Sequence, residues 1–391
     1  MDNTIFERDS RYIAGTYGRF PVEIVRGEGS LAYGPDGKRY IDLGSGIGVT
    51  SFGISDPVWR DAVVRQLYAV QHMSNLYYTD PCVALAERLC ERTGMEKVFF
   101  SNSGAEANEC AIKAARKYAA DRYGEQRHLI VTLKNSFHGR TLTTLAATGQ
   151  DRFHTLFRPL TPGFASVAAG DLEALKKLSE DGFPAAVMVE CIQGEGGVIP
   201  LDGGYLRALS AWCAENDVLL AVDEVQTGNG RTGALYSYMN FGIKPDIVTT
   251  AKGLGGGLPI GATLLGEKCA GVFSPGDHGS TFGGNPVCCA GAVSIIDRID
   301  GELLAGVREK GEMLRGIFDG APGVSGVSGM GLMLGIACER PAAECVRECI
   351  DRGVLCLTAK DRIRLLPALN IPSDLLREGA EVILSVCAGK H

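Results

Sequence analysis

Glu190, Asp223 and Lys252 are the residues of this chain whose types and positions most directly invite chemistry. Each stands at or just beyond the end of a short, nearly pure apolar run. Residues 185–189 lead to Glu190, residues 218–222 to Asp223 and Glu224, and residues 247–250 to Ala251 and Lys252. A lysine pressed among glycines such as Gly253, Gly255, Gly256 and Gly257 loses hydration, which favours the neutral amine that attacks an aldehyde. A buried carboxylate is costly unless a cation faces it, so Asp223 calls for a partner such as a protonated ring nitrogen. Strands also end in polar residues simply on reaching solvent. Three such ends, each followed by glycines, mark a site instead.

The elements that must position these residues read as α/β. From about residue 95 short apolar runs alternate with longer helical ones. Strands are expected at 97–101 and 128–133, and between them a helix at 105–123 with Ala111, Ala115 and Tyr118 on one side. The runs 185–189, 218–222 and 247–250 suit parallel strands buried on both faces. In open parallel sheets ligands gather at the carboxyl ends of the strands, where the three chemical residues fall. Residues 29–42 read as a hairpin-rich arm, and 324–337 and 354–366 as short strands among glycine-rich turns. A chain of 391 residues exceeds what one core usually supports. The expected organisation is a large domain at 51–294 and a smaller α+β domain at 295–391 that the arm of residues 1–50 joins.

Ser101 to Glu106 connects the first of these strands to the helix. The free amides of Gly104 and Ala105, with the Ser103 hydroxyl, would face outward at the positive helix end and suit a phosphate. Plain capping by Ser103, with Glu106 closing a capping box, fits the same residues. Residues 228–233 match G-x-G-x-x-G, but a poor helix start follows, and Lys252 stands where an acidic residue should end the next strand. A dinucleotide site is therefore not expected there.

Several motifs now converge: Asn102-Ser103-Gly104-Ala105-Glu106, Phe137-His138-Gly139-Arg140, Asp223-Glu224-Val225-Gln226-Thr227-Gly228, Ala251-Lys252-Gly253 and Thr281-Phe282-Gly283-Gly284-Asn285-Pro286. Together they resemble the class III aminotransferases of pyridoxal-phosphate (PLP) fold type I, and the resemblance runs from Tyr17 to Arg364. It implies a large domain with a mostly parallel central sheet and a smaller α+β domain. Lys252 would bind the cofactor covalently and then move the proton between substrate and cofactor carbons. Asp223 would keep the ring nitrogen protonated, Gln226 would hold the ring oxygen, and Phe137 would stack on the ring beside His138. Ser103, Gly104 and Ala105 would hold the phosphate, joined by Ser280 and by Thr281 reaching across a homodimer with shared active sites.

The resemblance also implies the substrate contacts. Arg140 would take a carboxylate remote from the reacting carbon, with Tyr17 close by. Arg364 would grip the α-carboxylate of glutamate or 2-oxoglutarate, as the planar guanidinium does well. Glu195 would pair with Arg364 when the amine donor offers no carboxylate there. Within the class the chain is most similar to members acting on the terminal amine of acetylated ornithine. Ornithine, 4-aminobutyrate, succinylornithine and N-succinyl-diaminopimelate are the rival donors, and an inactive scaffold with this fold is the rival outside enzymes. Ornithine enzymes usually have tyrosine where this chain has Ile47, whose missing hydroxyl suits an acylated donor. Gly53-Ile54-Ser55-Asp56-Pro57 departs from the family's usual Gly-His-x-His-Pro, a difference in local packing rather than chemistry.

Composition excludes other classes. A net charge of −7 with dispersed Lys and Arg offers nothing to nucleic acid, and no apolar run is long enough for a bilayer. The start Met1-Asp2-Asn3-Thr4-Ile5-Phe6-Glu7 has neither signal nor transit character, so the cytoplasm is expected. Thirteen cysteines at irregular spacing, without Cys-x-x-Cys, read as reduced thiols. Cys345 and Cys349, one helical turn apart, read as apolar fillers, and no metal site is expected.

Overall fold

The computed structural model describes residues 4–389, so Met1, Asp2 and Asn3 of the stretch read for targeting lie outside it. Its centre is a seven-stranded sheet in the order Lys97–Ser101, Gly261–Leu265, Ile247–Thr250, Leu219–Asp223, Ala186–Val189, Ile130–Leu133 and Phe164–Val167. Six strands run the same way; Gly261–Leu265 is antiparallel to both of its neighbours. Two of the strands, Gly261–Leu265 and Phe164–Val167, are additions to those expected.

The apolar runs are explained by cover on both faces. Ile130, Met188, Leu219, Ala221 and Ile247 pack against the Gly104–Tyr123 helix through Ala111, Ala115 and Tyr118. Their strand neighbours Val131, Val187, Val189, Leu220, Val222 and Val248 point the other way, into a core shared with Leu206 and Leu209 of the Gly203–Glu215 helix. Successive residues alternate faces, so a strand covered on both sides must be apolar throughout.

A second core gathers Ile41 and Leu43 with residues from Val307 to Cys387. It includes an antiparallel sheet in the order Val324–Met330, Met333–Cys338, Arg362–Leu365 and Leu357–Ala359. The arm reaches this core because Arg39–Asp42 pairs in parallel with Val354–Leu355. The first core continues through the Pro286–Ile296 helix to Ile299. Asp56, at the departure from the family pattern, caps the Pro57–Ala69 helix through the Trp59 amide at 2.9 Å and receives Arg298 at 2.7 and 3.1 Å.

Residues 228–233 form a buried turn followed by a short 3-10 helix, Ser237–Phe241, and not by an α-helix. Arg231 in this turn is 2% exposed and donates to the carbonyl oxygens of Leu332, at 3.1 Å, and Pro367. The G-x-G-x-x-G match thus joins the two cores. No helix among the described residues is long and apolar enough to cross a membrane. No group of three or more His, Cys, Asp or Glu among them could hold a metal ion. Cys345 and Cys349 are buried on the Ala342–Asp351 helix, and all thirteen cysteines are free thiols.

Candidate active site

At the carboxyl ends of the parallel strands lies a cavity of about 470 Å³, lined among others by Gly104, Phe137, Arg140, Asp223, Gln226 and Lys252. Strand Leu219–Asp223 delivers Asp223 as its last residue, and strand Ile247–Thr250 delivers Lys252 two residues past its end. Lys252 takes a backbone φ of 46°, unusual for a residue with a side chain. Its approach is fixed by Asn229, whose Nδ2 donates to Thr250 Oγ1 at 3.0 Å and Ala251 O at 3.2 Å, and by Ser51 Oγ donating to Gly253 O at 2.9 Å. Burial lowers the pKa of the amine; Arg364 adds to this, while Glu195, Asp223 and Glu190 pull the other way.

Asp223 is 4% exposed, and its bonds explain how a carboxylate survives there. Oδ2 accepts from Asn108 Nδ2 at 2.7 Å and meets His138 Nδ1 at 2.9 Å, while Oδ1 accepts from the Val225 amide at 3.0 Å. Asn108 is held in turn by Thr249 Oγ1, which donates to its Oδ1 at 2.7 Å. Three partners leave acceptor capacity on the carboxylate for a further donor. Glu224, one residue on, points away: its oxygens accept from Thr227 Oγ1, Ser237 Oγ and the Tyr238 amide.

The Gly104–Tyr123 helix starts at the other end of the cavity with Ser103 as its cap. Ser103 Oγ accepts from the Glu106 amide at 3.2 Å and donates to Glu106 Oε2 at 3.0 Å. The Glu106 carboxylate also takes the Asn102 amide, at 3.0 Å, so capping involves Asn102 as well as Ser103. Gly104 and Ala105, the first two helical residues, keep amides that helix geometry leaves free, facing the cavity they line. A side chain at Gly104 would meet Val225 Cγ1 at 2.6 Å, so the backbone approach here requires glycine.

Gln226 links the cavity to an ion pair at its edge. Arg364, 3% exposed, donates from Nη1 to Glu195 Oε1 at 2.5 Å and to Gln226 Oε1 at 3.0 Å. Gln226 Nε2 also donates to Glu195 Oε1 at 3.3 Å, and the buried Arg364 Nε has no hydrogen-bond partner among the described residues. Burial alone would raise the Glu195 carboxyl, but Arg364, with help from Lys252 and Gln226, holds it below its ordinary range. Phe137 is half-buried and meets Phe153 edge-on at 5.8 Å. Arg140 is exposed, its guanidinium over the Phe153 ring at 4.3 Å and the Phe137 ring at 5.5 Å.

Three expected residues lie elsewhere in the same chain. Tyr17 is 73% exposed beside Arg19 and lines a different groove. Thr281 is exposed and does not line the Lys252 cavity. Ser280 Oγ accepts from Asn102 Nδ2 at 3.1 Å and from the Gly283 amide at 2.9 Å, supporting the turn before Ser103 from outside the cavity. Ile47 likewise faces an adjacent apolar groove with Phe20 and Leu357, whereas Val49 reaches the cavity. Asn108 was not expected at the site, although it is a polar residue one turn after Gly104 on an otherwise alanine-rich buried face.

A model of the aminotransferase class-III family matches residues 12–387. The chain belongs to the class III aminotransferases. It is 48% identical to the acetylornithine aminotransferase of Haemophilus ducreyi over 98% of each chain. Among solved structures it resembles the N-acetylornithine aminotransferase of Stenotrophomonas maltophilia at a TM-score of 0.84 and 34% identity, covering 98% of this chain and 99% of that one. It resembles the ornithine aminotransferase of Toxoplasma gondii at a TM-score of 0.94 and 30% identity, covering 98% and 94%. The enzyme is a PLP-dependent transaminase of fold type I. Its residues fit that cofactor: free helix amides for a phosphate, a buried carboxylate with spare acceptor capacity for a ring nitrogen, and a desolvated amine on one lining.

Proposed function

We propose that this aminotransferase moves the δ-amino group of N2-acetyl-L-ornithine to 2-oxoglutarate, giving N-acetyl-L-glutamate 5-semialdehyde and L-glutamate, a step of arginine biosynthesis. The observation that carries a donor reacting through a terminal amine is the Arg364–Glu195 pair at the cavity edge, held together by Gln226. Glutamate brings an α-carboxylate, for which Arg364 is available once Glu195 swings away. A donor reacting through a terminal amine brings none, and Glu195 then neutralises the guanidinium. Arg140, exposed at the mouth, is placed to take the α-carboxylate of the acylated donor. The name of the Haemophilus ducreyi relative agrees with this choice of donor.

Ser103, Gly104 and Ala105 would hold the cofactor phosphate, Asp223 its ring nitrogen, Gln226 its ring oxygen and Phe137 its face. When bound, pyridoxal phosphate supplies an electron-withdrawing ring that stabilises negative charge on the carbon beside the reacting nitrogen. The chain's own part is positioning and proton transfer. Asn108 and His138 orient the Asp223 carboxylate toward the cavity. Lys252, its amine biased by burial toward the neutral form, takes up and returns a proton as general base and acid. Phe137, met edge-on by Phe153, covers one side with apolar surface and limits water there.

Tyr17 and Thr281 act, in this proposal, on the site of a second copy in a homodimer. Exposure of Tyr68, Leu76 and Tyr78, at 86% or more, supports such a contact. Thirteen free thiols suit the reducing cytoplasm. The test is a panel of donors assayed at steady state with 2-oxoglutarate: acetylornithine, ornithine, 4-aminobutyrate, succinylornithine and N-succinyl-diaminopimelate. Acetylornithine is expected to give the highest kcat/KM, and a rival donor turned over far more efficiently would overturn the substrate.

A further inference from the structure

Of the acids at the strand ends, Asp223 faces the cavity and Glu224 is consumed by Thr227, Ser237 and Tyr238, which leaves Glu190 without a role in the reaction as described. We propose that Glu190 is a positioning residue that holds the ring-covering Phe137 and the loop of Glu195 in fixed relation, so that one carboxylate governs both the cofactor's orientation and the carboxylate switch. This rests on the reading of Glu195 and Arg364 given above.

Glu190 lines the cavity and is 5% exposed. Oε1 accepts from the Phe137 amide at 2.8 Å, and Oε2 accepts from the Gly194 amide at 3.1 Å. The first amide belongs to the residue whose ring covers the site, and the second directly precedes Glu195. Two N–H groups from separate loops converge on one side chain. Only a carboxylate offers two acceptor atoms and no donor; a carboxamide satisfies one amide and presents N–H to the other. Burial and the neighbouring Asp223 both work against an ionised Glu190, and His138 only partly offsets them. A neutral group would be cheaper to bury, so the retained acid is explained by the two amides.

The loops do not depend on Glu190 for their contact. Gln193 Nε2 donates to Lys134 O at 2.9 Å, joining the same segments farther out. What Glu190 sets is the tilt of the peptide groups before Phe137 and Gly194. Loosening Gly194 weakens the hold of Glu195 on Arg364, which harms a donor lacking an α-carboxylate and leaves glutamate, which needs Arg364 free, less affected.

The test is Glu190→Gln in the PLP-loaded enzyme, with the two half-reactions measured separately by single turnover. The expected result is a fall of about tenfold in the donor-to-glutamate ratio of kcat/KM, carried by the donor's KM. The visible circular dichroism of the bound cofactor should change as well, since Phe137 no longer fixes the ring. Glu190→Asp keeps the charge but is one methylene short of spanning both amides. It should shift the ratio in the same direction and serves if the glutamine variant folds poorly. A ratio within twofold of wild type together with an unchanged dichroism spectrum overturns the proposal, whether both half-reactions fall together or neither does. Wild-type enzyme that rejects acetylornithine contradicts the substrate reading alone, and the ratio is then taken with whichever panel donor is accepted.

Discussion

Replacing Glu195 with alanine isolates the switch. In the parent, Arg364 Nη1 has two acceptors, Glu195 at 2.5 Å and Gln226 at 3.0 Å, and its Nε has none among the described residues. Truncation leaves a guanidinium whose side chain is 4% exposed with Gln226 alone. Breaking a buried ion pair costs about 3–5 kcal/mol. The Glu195 side chain is 27% exposed, so water already screens the pair and about 1–3 kcal/mol is the fitting range. When acetylornithine binds, that cost persists, because the donor offers no carboxylate to Arg364. When glutamate binds, its α-carboxylate replaces the missing partner. The donor-to-glutamate ratio of kcat/KM should therefore fall about 5- to 150-fold, since only glutamate relieves the unpaired guanidinium of the free variant. Single-turnover kinetics with each amino donor read this directly. Equal losses for the two, or a larger loss for glutamate, would refute the reasoning.

Other outcomes follow from the same geometry. Lys252→Ala should abolish turnover and covalent cofactor attachment, measured by mass after borohydride reduction; a variant with full activity sinks the assigned role. Gly104→Ala forces a Cβ against Val225, so PLP should dissociate more readily, whereas Gly15→Ala, which meets nothing within 4 Å, should match wild type in the same equilibrium dialysis. Burial chiefly, and then Asp223, push the Glu190 carboxyl up to about 7 from 4.5, against the pull of His138 and its two backbone amides. A raised carboxyl favours the fold below its unfolded value and loses that contribution as pH rises. The unfolding free energy of wild type relative to Glu190→Gln, measured in urea, should thus fall from about pH 4.5 to about 7 and then level off; a difference independent of pH would show that Glu190 does not titrate there.

The site was legible where periodicity and chemistry coincide. Runs 185–189, 218–222 and 247–250 had to be strands covered on both sides, and the carboxyl ends of such strands collect ligands, so Asp223 and Lys252 stood out together. What pattern cannot supply is direction. Residues 261–265 are as apolar as a parallel strand, and nothing in their composition says that they run backwards between two others. Nor could it separate Asp223 from Glu224, since adjacent residues face opposite ways and only the registered sheet assigns the faces. Asn108 reaches Asp223 because the helix crosses the sheet at that level, which is a tertiary fact. Tyr17 and Thr281 lie away from their own cavity, so their assignment depends on resemblance and on a second copy.

The backbone around the cavity has a consequence of its own. Ile47, Asn135, Val198, Asn229 and Lys252 all take positive φ, between 46° and 70°, and each is Lys252 itself or lies within three residues of Val49, Phe137, Glu195 or Gln226. Such a conformation costs a residue with a side chain about 1–2 kcal/mol and asparagine less, so Ile47, Val198 and Lys252 together approach about 3–6 kcal/mol, reaching the low end of a typical folding free energy. The scaffold therefore carries tension in the loops that do the work, as it also does at Ser45, Ser55, Asp217 and Lys360. Relaxing it with glycine at Ile47, which is 41% exposed, favours a hardier protein, whereas at the fully buried Val198 the lost packing outweighs the relief; slackness at the cavity rim makes the hardier protein a slower enzyme.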